Sequence, residues 1–171
     1  MAGAGEFGWE RRLELADPGA TCTFAAEMRA RLGPGDTVLL SGPIGAGKSH
    51  FARCLINAIL ADYGLVEDIP SPTFTLVQTY QAGMLEIWHA DLYRLVAADE
   101  VRELGLIDAF SSALCLIEWP DRLEGETPGD ALELQFEIGR KPGLRYLRLS
   151  ASDPKWNWLR DLSMPESPNN A

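Results

Sequence analysis

Between Thr37 and Ser49 the chain passes from an apolar run, Val38-Leu39-Leu40, into Ser41-Gly42-Pro43-Ile44-Gly45-Ala46-Gly47-Lys48-Ser49, then into a helical pattern carried by Phe51, Leu55 and Ile59. No other stretch restricts the fold so strongly. Positions 42, 47, 48 and 49 satisfy G-x-x-x-x-G-K-[ST], a phosphate-binding loop, which sits between a buried strand and the N-terminus of a helix. Glycines let successive backbone N–H groups turn toward phosphate oxygens. The first helical turn adds its unpaired N–H groups and the positive end of its dipole. Lys48 is expected to meet the β- and γ-phosphates, and Ser49 to offer a hydroxyl to Mg²⁺. An α/β domain follows, with its site at the carboxyl ends of the strands.

At 171 residues the chain is long enough for one well-cored domain and short for two. Hydrophobic residues at 46% and charged ones at 23% are the balance of a soluble globular protein. A formal charge of -10 opposes any direct grip on a nucleic-acid backbone, so a role connected with RNA is expected to run through a partner. Cys22, Cys54 and Cys115 are odd in number, far apart and in apolar surroundings. Neither a disulfide framework nor a zinc site is expected, which fits a reducing cytoplasm. No basic-then-apolar leader and no membrane-length run is present, so the protein is expected to be soluble and cytoplasmic, without contact to membrane. Residues 1–9 read as a flexible N-terminus, 10–163 as the domain, and 164–171 as a polar tail.

Strand-like runs are expected at Arg11 to Leu15, Val38 to Leu40, Phe74 to Tyr80, Met84 to Ala90, Ala113 to Ile117, Leu132 to Ile138 and Leu144 to Ser150. The third and fourth read as a hairpin turning through Gln81-Ala82-Gly83. Asp17-Pro18 opens a helix with Phe24, Ala25, Met28 and Leu32 as its apolar stripe. A short helical pattern from Val96 to Phe110 has Asp99 as its cap and is split at Gly105, and another short helix follows Asp153-Pro154.

Polar residues just past an apolar run are the ones to weigh for chemistry, and Thr73, Asp91 and Glu118 qualify. Holding Mg²⁺ and orienting an attacking water both need acids. Glu118, ending Leu114-Cys115-Leu116-Ile117, suits the water; Asp91 suits the metal side; the two roles are exchangeable. Thr73 is either a sensor of the γ-phosphate or a β-branched residue that begins a strand. His89 reads as a packing histidine, and Trp119 either shelters nucleotide or fills core. Arg94, Arg102 and Arg122 read as surface charge. With no arginine placed to neutralise the transition state, unaided hydrolysis is expected to be weak.

Four segments, Ser41 to Ser49, Ser71-Pro72-Thr73-Phe74-Thr75-Leu76-Val77, His89-Ala90-Asp91-Leu92-Tyr93-Arg94-Leu95 and Ile117-Glu118-Trp119-Pro120, together with Glu103-Leu104-Gly105, resemble the TsaE (YjeE) family. The resemblance covers roughly residues 10 to 150. It implies a single P-loop NTPase domain with a mixed sheet and helices on both faces, binding ATP or ADP with Mg²⁺. It further implies TsaB- and TsaD-type partners in threonylcarbamoyladenosine modification of tRNA, with tRNA met only through that complex. The nucleotide contacts it implies run through Gly42, Pro43, Ile44, Gly45, Ala46, Gly47, Lys48, Ser49 and His50, with Trp119 nearby. Lys48, Thr73 and Glu118 match the catalytic positions, and Ser49, Asp91 and Glu118 the metal side. Pro43, Ser49 and His50 depart from the usual family loop, which carries aspartate at the first of these positions and threonine at the second. A small-molecule kinase and a non-hydrolysing nucleotide switch are the competing functions. Against the kinase, Thr73 to Pro128 holds three arginines and no lysine with which to close a lid.

Overall fold

All seven strand-like runs join one sheet in the computed structural model, which describes residues 8–97 and 99–164. The strands are β1 (Trp9–Leu15), β2 (Thr37–Ser41), β3 (Val77–Ala82), β4 (Leu85–Asp91), β5 (Leu114–Glu118), β6 (Leu132–Ile138) and β7 (Arg145–Ala151). Their order is β1-β7-β6-β2-β5-β4-β3. The central pairs β6/β2, β2/β5 and β5/β4 are parallel, and antiparallel pairs close both sides, so the sheet is mixed. Thr37 to Leu40 and all of β5 are buried, as continuous apolar runs covered on two faces must be.

Helices cover both faces. On one, α1 (Pro18–Met28) starts where the Asp17 carboxylate accepts the Ala20 N–H at 2.8 Å, a cap worth about 1 kcal/mol. It packs beside α2 (Lys48–Asp62), and the two bury Phe24, Met28, Phe51 and Leu55 against Leu40, Leu116 and Leu134. The Phe51 ring lies 5.9 Å from that of Phe24 and 5.8 Å from that of Phe136. Truncating Phe51 to alanine at the base of α2 is worth about 3–5 kcal/mol of stability. On the other face α3 (Asp99–Glu103) and α4 (Leu106–Ala109) press Val101 and Leu106 onto Leu39, Ala90 and Ile117. The last helix among the described residues, α5 (Asn157–Arg160), returns to the first face through Leu159.

Several expectations are corrected. Residues 72–75 form a turn, closed by the Leu76 N–H donating to the Pro72 carbonyl at 2.7 Å, so β3 begins at Val77 and not Phe74. The hairpin turns on two residues, Gly83 and Met84, because Gly83 takes φ 61, which a tight connection needs and Gln81 and Ala82 do not supply. Asp99 is already helical. The Glu100 carboxylate instead accepts the Val96 and Ala97 N–H groups at 2.8 and 3.2 Å, which holds its carboxyl below the usual range. Trp9 belongs to β1 and Met164 packs on the core, so the domain takes in one residue more at each end than expected. Residues 1–7 and 165–171 lie outside those described.

Cysteine is the largest correction. Cys22 and Cys54, expected from their spacing to be unpaired, are joined by a disulfide with Cα atoms 5.0 Å apart. Their separation of 32 positions hides a contact made only when α1 docks on α2. Cys115 is free and buried, and burial pushes its thiol up to about 12.

Candidate functional site

The loop from Ser41 to Lys48 leaves the carboxyl end of β2 and enters α2 at Gly47. Its path is forced by a close approach. A Cβ on Gly42, whose φ is 135, would stand 2.5 Å from the Phe136 carbonyl oxygen on β6, so only glycine fits there. Lys48, 5% exposed, folds back so that its ammonium donates to the Gly42 and Pro43 carbonyls. The Trp119 ring centre lies 3.9 Å from its Nζ. Burial lowers the Lys48 pKa, with Glu118 and Asp91 pulling the other way. Pro43, which has no N–H to offer a phosphate, still contributes its carbonyl, which accepts from Lys48 Nζ at 3.3 Å and from the Ala46 N–H at 3.1 Å.

Facing the loop are the ends of β4 and β5. Parallel pairing sets Asp91 opposite Glu118 in the register. Glu118 is 2% exposed, yet both its oxygens are occupied: Oε1 accepts the Ser49 hydroxyl at 2.7 Å, and Oε2 lies 2.7 Å from His89 Nε2. Asp91 Oδ2 accepts the Thr73 hydroxyl at 3.3 Å, Oδ1 accepts the Tyr93 N–H at 3.0 Å, and Ser71 Oγ stands 2.8 Å from Thr73 Oγ1. Ser49, Thr73, Asp91 and Glu118, from four separate segments, thus converge on one cavity of about 430 Å³. That is in the size range of small-molecule sites. Ile44, Gly45, Ala46, Gly47, Lys48, His50 and Trp119 line it as well, whereas Gly42 and Pro43, also expected as nucleotide contacts, do not line it and instead accept from Lys48 through their carbonyls.

Trp119 leaves β5 with φ 58, the left-handed region that costs a non-glycine residue on the order of 1 kcal/mol. That turn brings its ring over Lys48 and within 4.9 Å of the Tyr93 ring, and its backbone N–H donates to the Leu40 carbonyl at 3.3 Å. His50 lines the cavity, and its Nε2 stands 2.9 Å from the Pro18 carbonyl oxygen and 3.6 Å from the sulfurs of Cys22 and Cys54.

Four residues of the site carry little or no signal in the sequence. His89, expected to be packing, is fully buried against Glu118; its place two residues before Asp91 on a strand puts it on the same face, but the partner strand is needed to supply the acid. Its Nδ1 has no partner among the described residues. Tyr93 and Arg53 line the cavity, and Arg145 Nη2 donates to the Gly45 carbonyl at 3.0 Å. Arg53 could have been found on the helix face that Ser49 and His50 begin. Arg145 arrives from β7, 100 positions away, with no local signal. Arg94, Arg102 and Arg122, expected as surface charge, bond the Thr73 and Phe74 carbonyls, Glu126, and the Tyr93 carbonyl respectively.

Residues 15–144 match the family described as "Threonylcarbamoyl adenosine biosynthesis protein TsaE". A tRNA threonylcarbamoyladenosine biosynthesis protein TsaE of Rickettsia bellii is 39% identical over 118 residues, covering 69% of this chain and 80% of its own. Its namesake in Bacillus subtilis is 34% identical over 124 residues, covering 72% and 75%. The fold is similar to that in the crystal structure of Bacillus subtilis YdiB, with a TM-score of 0.72 at 23% identity over 92% of this chain and 95% of that one.

Proposed function

The chain belongs to the TsaE family, and from that membership we propose that it binds ATP with Mg²⁺ in the phosphate-loop cavity and hydrolyses it weakly alone. Its work is to support threonylcarbamoyladenosine formation in tRNA, in the cytoplasm, by acting on a complex of TsaB- and TsaD-type proteins. The observation that carries the chemistry is the hydrogen bond from Ser49 to Glu118 beside Lys48. With its hydrogen given to Glu118 Oε1, the Ser49 hydroxyl has only lone pairs left to present, as a ligand for a hard cation must. Lys48, buried against carbonyl oxygens and an aromatic face, has an ammonium that a phosphate can recruit.

Ser49 and Asp91 would hold Mg²⁺, which when bound neutralises charge on the β- and γ-phosphates. Thr73, donating to Asp91, would fix that carboxylate and sense whether a γ-phosphate is there. Glu118 would orient the attacking water, with His89 fixing its far oxygen. Trp119 and Tyr93 would wall the cavity from solvent.

Phosphate release from ATP, measured for the protein alone and after adding the TsaB and TsaD proteins of the same cell, tests this reading. Slow release alone and clearly faster release with both partners is expected. Transfer of phosphate to a small acceptor would make the protein a kinase, and no release in either condition would make it a passive switch.

A further inference from the structure

Cys22 stands in the second turn of α1 and Cys54 in the second turn of α2, the helix whose first residue is Lys48. Their disulfide therefore ties the covering helix to the helix that carries the phosphate loop. Between bridge and cavity lies His50, 3.6 Å from each sulfur, 2.9 Å from the Pro18 carbonyl oxygen at the start of α1, and next in sequence to Ser49. Both bridged cysteines and His50 are partly exposed, whereas Cys115 is fully buried.

We propose that Cys22 and Cys54 form a reversible thiol–disulfide switch that sets how tightly the phosphate loop holds nucleotide. The inference rests on the ATP-binding, cytoplasmic reading above. In a reducing compartment a solvent-reachable bridge is one that opens and closes rather than a permanent brace. A low-molecular-weight disulfide such as oxidised glutathione supplies the oxidation. One cysteine thiolate attacks it and releases one small thiol; the second cysteine attacks the mixed disulfide and releases the other. Two protein thiols and one small disulfide become one protein disulfide and two small thiols. Closing the bridge pins α1 to α2 one helical turn beyond His50 and so restrains the start of the helix that the phosphate loop enters, and the bridged form binds more tightly.

The full-length protein, equilibrated across glutathione buffers from fully reduced to fully oxidised, is acid-quenched, alkylated and weighed intact. Conversion of two thiols to one disulfide within that range, with Cys115 left as a thiol, is expected. A pair that stays bridged or stays reduced at every ratio would overturn the switch. So would zinc held stoichiometrically by the reduced protein and lost in Cys22→Ser, since the Cys22, His50 and Cys54 ligand atoms lie within 4.8 Å of one another. Binding of a fluorescent ADP analogue is then compared. The oxidised form is expected to bind about threefold or more tightly than the reduced one, with Cys22→Ser/Cys54→Ser fixed at the reduced value under both conditions. Equal affinities in the two forms would overturn the coupling. Absence of binding in both forms would count against the phosphate-loop reading, and the mass titration would still pass or fail the thiol pair.

Discussion

The two walls of the cavity are built on opposite principles. The loop wall, Gly42 to Ser49, is contiguous and works chiefly through backbone, held by the close approach of Gly42 to Phe136 and by the Lys48 and Arg145 hydrogen bonds to its carbonyls. The strand wall, Thr73, Asp91 and Glu118 with His89 buried behind Glu118, is assembled from separate segments and works through side chains bonded to one another. On the proposed reading, the backbone wall would recognise what every phosphate shares, and the side-chain wall would decide what happens to it. Affinity should therefore follow Lys48 and turnover Glu118 when one of them is altered at a time.

Lys48→Ala should give the largest effect. Removing an ammonium whose hydrogen bonds to charged groups are worth about 1.5–3 kcal/mol each should weaken ADP binding about 100-fold or more, read by calorimetry, with the melting curve still cooperative. Unchanged affinity would dissolve the distinction between the walls. Glu118→Gln, on the other wall, should cut partner-stimulated hydrolysis about 100-fold while ADP affinity stays within about twofold. If binding falls instead, Glu118 belongs to the metal side. His89→Leu should lower kcat about tenfold with KM unchanged, and His89→Gln should recover most of it by restoring a donor to Glu118. Loss of kcat in both variants would leave His89 a packing residue.

The smallest effect sharpens the comparison from behind the site. Cys115 shares β5 with Glu118 but faces the opposite core cluster. Its folded pKa, raised from 9.0 to about 12, lies above its unfolded one, so its contribution is intact below pH 9 and lost as pH climbs toward 12. By pH 10 the loss should be about 1 kcal/mol in urea titrations. Cys115→Ala should flatten that part of the profile.

The same contrast explains which parts of the molecule are legible in its sequence. Gly42, Gly47, Lys48 and Ser49 stand out because the loop's physics is local and fixes residue types at fixed spacing. Both central strands are equally plain, since Val38 to Leu40 and Leu114 to Ile117 must be buried on two faces. Glu118 and Asp91 are recognisable as acids at strand ends, but their mutual placement depends on β4 lying beside β5, which no local pattern dictates. His89 and Arg145 stay hidden for that reason, as does the Cys22–Cys54 bridge. Where periodicity misleads, backbone detail decides: Phe74 looks like strand, but the turn after Pro72 delays the sheet to Val77.

The indole resting on the Lys48 ammonium has an optical consequence. A phosphate that draws Nζ off the ring changes the electric field across the chromophore, so emission from Trp119 should report loading without any added dye. Were nucleotide to bind as proposed, the strained turn that aims the ring would equip the protein with its own gauge, read as the part of the emission lost in Trp119→Phe.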